Sequence, residues 1–72
     1  MNAKEMRKVI EEKVIDAQVA FREQLKLHGA DDNLTMNLAH ASCALSSLYE
    51  DLFGRDEFEK LMEKHFPEIF KD

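Results

Sequence analysis

Three runs of apolar residues at helical spacing, divided by the chain's two glycines and its single proline, leave this sequence few alternatives to α-helix. Ala3, Met6, Ile10, Val14, Ala17, Phe21 and His28 recur at intervals of three, four or seven. At 100° per residue they form one stripe, widened by Val9, Ala20, Leu25 and Leu27. Gly29 can take the left-handed conformation past a last turn, so a first helix over residues 3–28 is expected. Asp31, Asp32 and Asn33 then offer short oxygen-bearing side chains for an N-cap. Leu34, Leu38, Ala41, Leu45, Leu48 and Leu52 supply a second stripe before Phe53 and Gly54, predicting a helix over 33–53.

A third helix is expected over 56–66, with Asp56 and Glu59 in the capping-box relation and Phe58, Leu61, Met62, His65 and Phe66 on one face. Pro67 closes it, and Ile69 and Phe70 continue the spacing, so residues 67–72 should fold back as a short tail. No stretch alternates with period two, and no hairpin turn or internal repeat appears. The reading is one all-α domain over 1–72, three helices running up, down and up around a long hairpin. The first two helices would be roughly 35 and 30 Å long and the third about 16 Å, which leaves one end of the hairpin uncovered. A second copy of the chain or another partner is expected to cover it, giving a dimeric helical bundle.

Size favours the same conclusion. A chain of 72 residues buries only about 60% of its unfolded surface, too little to enclose a large cofactor. Its one cysteine, Cys43, cannot staple the fold internally. Acidic residues follow the basic N-terminus where a secretory apolar core would lie, and the longest uncharged run, Asn33 to Tyr49, is too short and too polar to span a bilayer. A cytoplasmic protein without a membrane partner is expected.

The net charge is -5, distributed as +1 over 1–28, -4 over 29–54 and -2 over 55–72. No segment carries the clustered lysine and arginine that neutralise phosphates, which disfavours nucleic acid as a partner. An alternative nucleic-acid-associated regulator would have to use Lys4, Arg7, Lys8, Arg22 and Lys26 of the first helix. A metal-dependent, hydrolase-like alternative would use Glu12 and Asp16, four apart and beside Glu11, with Glu50 or Asp51 from the neighbouring helix. Lys8 and Lys13 make a solvated, charge-balanced face the simpler account of those carboxylates. His40 and Cys43 point the same way, but two ligands do not make a zinc site, and no CxxC or HExxH accompanies them. Neither enzyme activity nor a metal or cofactor is expected.

Two surfaces stand out as protein contacts. The second helix carries no charge across Asn33–Tyr49, and its far side reads Met36, His40, Cys43 and Ser47 at spacings of four, three and four, suited to close packing of another helix. On the first helix, Ile15 and Val19 lie one turn apart among Lys8, Glu12, Arg22, Glu23 and Lys26, away from the main stripe. The sequence therefore points to a small acidic interaction module that binds another protein as adaptor, inhibitor or regulatory subunit. It is expected to be a homodimer, with one surface as the seam and the other free.

Overall fold

A computed structural model describes residues 1–70, with no description of the Ile69 and Phe70 side chains. The described residues are all-helical, with no strand: α1 (Ala3–His28), α2 (Asn33–Phe53), α3 (Arg55–His65) and a short 3-10 turn, Pro67–Phe70. The expected return of the tail onto the core turns on the Ile69 and Phe70 side chains and on residues 71–72, which lie outside what is described.

Local chemistry sets the ends of each helix. The Asn2 side chain accepts the Glu5 backbone N–H at 2.8 Å, satisfying one of the free donors at the start of α1. At its other end the Gly29 N–H donates to the Leu25 carbonyl at 2.9 Å, with Gly29 at φ 82°. Asp32 caps α2. Its Oδ2 accepts the Thr35 N–H at 3.1 Å, the Thr35 hydroxyl at 3.3 Å and the Gln24 amide of α1 at 3.2 Å, so this cap also ties the two helices together. Gly54 ends α2 and starts α3 at once.

That shared glycine accounts for one difference from expectation. At φ 96° and ψ 156° Gly54 joins α2 to α3 through a single residue, and α3 begins at Arg55 instead of Asp56. No side chain caps α3, and Glu59 accepts from Arg55 Nε at 3.2 Å instead of closing a box with Asp56. Asp56 and Glu57 stand in the first turn, where the helix dipole favours negative charge.

Polar pairs between α1 and α2 step from Gln24–Asp32 at the loop through Gln18–Ser46 at 3.2 Å to Glu11–Tyr49 at the far end. Contacts of α1 with α3 and the residue after it step from Arg7–Glu57 to Arg22 stacked on Phe66. The core is Val14, Tyr49, Leu61, Met62 and Phe66, with Ile10, Ile15, Leu45, Phe53 and Phe58 packed against it. Burying such an apolar side chain fully is worth about 1.5–3 kcal/mol.

Two expectations about faces are corrected. The buried residues of α2 are Thr35, Ser42 and Tyr49, seven apart, while Leu34, Ala41, Leu48 and Leu52 of the expected stripe are exposed. The inward face is the one with small side chains, Thr35 and Ser42, at two of its three buried positions. His65 is exposed rather than on the core face, since Leu61, Met62 and Phe66 fill that space.

Gly54 generates a test. Its backbone angles fall in a region that only glycine enters freely, and a Cβ there would meet nothing within 4 Å. Gly54→Ala should therefore destabilise through the backbone alone, by about 1–3 kcal/mol. The check is urea denaturation: a lower midpoint with unchanged slope is expected, and a midpoint equal to that of the parent protein would refute the strain.

Candidate functional site

The four helix-2 candidates share one outward surface. Met36, His40, Cys43 and Ser47 are all exposed, on the side of α2 turned away from Thr35, Ser42 and Tyr49. Nothing charged interrupts this strip between Asn33 and Tyr49. The α1 pair is divided. Val19 is 39% exposed, whereas Ile15 is half-buried, packed against the core and part of the wall of a cleft between α1 and α3. The arc of α1 that packs inward is wider than its main stripe because α3 covers this second flank as well as α2 the first.

The cleft, about 290 Å³, gathers Glu11, Glu12 and Asp16 of α1 against Lys64 and His65 of α3, with Leu61 at its floor. Lys8 and Lys64 nearly balance the three carboxylates. Glu50 and Asp51 are not among its lining residues, so the carboxylates of α1 and α2 are not gathered there. Among the described residues no group of three or more His, Cys, Asp or Glu is arranged to hold a metal ion.

Two of the five basic residues of α1 considered for nucleic acid are engaged within the fold. The Arg7 guanidinium donates to Glu57 at 2.8 Å, to Glu11 at 3.3 Å and to the Tyr49 hydroxyl at 3.1 Å, and it lies 4.7 Å from the Phe53 ring centroid. Arg22 stacks 4.4 Å from the Phe66 ring, its buried Nε without a hydrogen-bond partner among the described residues. Lys4, Lys8 and Lys26 are exposed.

The Arg7 cluster joins all three helices. The Tyr49 hydroxyl donates to Glu11 at 2.6 Å, and its ring lies 4.8 Å from Phe53 and 6.3 Å from Phe58, tilted 55° to each. Burial, and then the hydrogen bond to Glu11, push the Tyr49 hydroxyl above its usual pKa. Arg7, and then Lys60 at 3.2 Å, hold the Glu57 carboxyl below the usual glutamate range. The Thr35 N–H, and then Gln24, do the same for Asp32. Sequence reasoning sees Arg7 and Glu11 as an ordinary i,i+4 pair, and nothing local announces that Tyr49 and Glu57 complete the group.

No helix among the described residues is long and apolar enough to cross a membrane. Comparison of the chain with protein-family models, with curated proteins and with solved structures gave no match in any of the three.

Two tests address the cluster. Tyr49→Phe keeps the ring and removes the hydroxyl, and should lower stability by about 1 kcal/mol, read as a urea midpoint. No change would mean that the Glu11 bond is worth no more than its hydration. For Glu57, a lowered carboxyl pKa contributes stability that is present above the unfolded value, about 4.3, and is lost as pH falls through the lower folded value. The gap in midpoint between the parent protein and Glu57→Gln should stay constant from neutrality to about pH 5 and shrink below about pH 4. A gap that persists undiminished at pH 2 would sink this assignment.

Proposed function

We propose that the protein is a small acidic interaction module that binds another protein through the outward face of α2, as an adaptor, inhibitor or regulatory subunit. The observation that carries this reading is the strip Met36, His40, Cys43 and Ser47: exposed, at helical spacing, and part of a seventeen-residue run without charge. A helix surface committed only to water normally carries lysine, glutamate or arginine, as α1 and α3 do here. An uncharged strip with one methionine and one cysteine instead suits the apolar stripe of a partner helix laid along it. In this reading the three helices run up, down and up, which the stepwise contacts of α1 with α2 and α3 support, and the module works in the cytoplasm as a homodimer. Val19, beside the basic Arg22 and Lys26, forms a smaller second contact that sets encounter and partner choice.

The test uses site-specific photo-crosslinking from Ser47 in the source cells, repeated with His40→Glu and with Cys43→Arg. One adduct of defined mass is expected from Ser47 and none from exposed Lys64, and both substitutions should abolish it while circular dichroism stays unchanged. Absence of any Ser47 adduct, or an adduct indifferent to both substitutions, would overturn the reading.

A further inference from the structure

Among the described residues, one side of the α1–α2 pair has no element over it. On the side of α1 toward α3, Arg7 bonds Glu57, Ile15 lines the cleft and Arg22 stacks on Phe66 just past α3; these three fall within about 80° on the helix wheel, with Glu12 and Asp16 of the cleft further round. Nearly opposite them on α1 lie Met6, Ala20 and Leu27. On α2, Leu34, Ala41, Leu48 and Leu52 lie about 100° from the inward residues Thr35, Ser42 and Tyr49, on the flank away from Ser46 and Glu50. The pairing of Gln24 with Asp32 and of Glu11 with Tyr49 brings these two flanks side by side at matching levels. They make one continuous face: Met6 with Leu52 at one end, Ala20 with Ala41 in the middle, Leu27 with Leu34 at the loop. Its large side chains are open to solvent, Leu52 at 55%, Leu34 at 52% and Leu27 at 74%.

The chain as a whole exposes 5457 Å². A compact monomer of 8.4 kDa exposes about 4,600 Å². The whole-chain excess, about 850 Å², is of the order of the roughly 800 Å² that each partner loses in a standard two-protein interface, so the chain has surface enough to spare for one.

We infer that a second copy of this chain covers this face, the two α1–α2 pairs packing against each other into a four-helix core. The composition of the face favours self-association over a charged partner. No acidic or basic side chain of α2 lies on it, and Lys13 is the one charge of α1 at its centre, with Glu12, Asp16 and Glu23 at the rim. A two-fold rotation sets alanine against alanine in the middle, where helices approach most closely, and keeps the rim carboxylates out of the seam. The stem of Lys13 is long enough to carry its ammonium outward to those carboxylates. This inference rests on the homodimer of the proposed reading and assigns its seam, but it does not rest on partner binding at the outward strip of α2, which is a different surface.

Light scattering over a micromolar to millimolar series, under reduction, tests it. The parent protein should have the mass of two chains. Leu48→Glu and Ala41→Glu, both on the face, should each weaken self-association by about 100-fold or more by placing an unpaired carboxylate in each half of the seam. Ser47→Glu, on the outward strip, should leave the mass unchanged. A milder probe guards against unfolding of the glutamate variants: in a Cys43→Ser background, Ala41→Cys should give an oxidised, covalent dimer and Ser47→Cys should not. A single-chain mass throughout the series would overturn the inference. So would a dimer that Ser47→Glu dissociates and Leu48→Glu does not.

Discussion

Tyr49 decides how the three helices are turned relative to one another. It is the chain's sole tyrosine, fully buried, with its ring between Phe53 and Phe58 and its hydroxyl between Glu11 and Arg7. A buried phenol needs a partner for its hydroxyl, and Glu11 supplies an acceptor at 2.6 Å. Arg7 in turn reaches Glu57, so one polar tip fixes α1 to α2 and α3 together. Turning Tyr49 inward carries Ser42 and Thr35 inward with it, since they stand seven and fourteen residues earlier on the same face. The same rotation carries Leu34, Leu48 and Leu52 outward. The exposed apolar face is thus the geometrical consequence of turning Tyr49 inward.

Helix ends were legible in the sequence because the bonds that make them are local. Asp32, one of the three expected caps, accepts an N–H three residues on, and Gly29 and Gly54 adopt a positive φ where α1 and α2 end; the start of α3, where the expected box of Asp56 with Glu59 does not form, is the exception. The rotation of α2 about its axis was not legible. A helix usually marks its solvent side with charge, and here Asn33–Tyr49 has none to read. Without that marker the six-residue stripe of leucines and one alanine looks like the core, although only Leu45 of it packs there and Leu38 is half-buried, while Thr35, Ser42 and Tyr49 take the buried positions. What separates the two faces is a set of contacts between residues about forty apart, Arg7 and Glu11 with Tyr49, and no short window contains both ends.

A similar blindness divided the α1 candidates. The wheel of an isolated helix has one inward arc, so Ile15 and Val19 appear together on its far side. A helix with two neighbours has a wider inward arc, and Ile15 falls inside the part that α3 covers while Val19 remains outside it. His65 is the converse case, a residue at core spacing on a helix of eleven residues that Leu61, Met62 and the following Phe66 already fill. Short helices have room for few inward positions, and side-chain volume decides between candidates that spacing alone treats as equal.

The two proposals constrain each other through the geometry of α2. Its outward strip is centred roughly 140° around the helix from the flank assigned to self-association, so one helix can serve both surfaces without competition. A two-fold dimer built on the apolar face would then carry two copies of the strip on opposite sides of a four-helix core. Such a particle does not place both strips on one partner helix, but it can bridge two partner molecules or engage a partner that is itself a symmetric dimer. In the second case the second contact becomes intramolecular, and the two weak surfaces combine into tighter binding than either gives alone. An uncharged strip of modest apolar area is a poor high-affinity site by itself. Presented twice on a rigid core, it no longer has to be one.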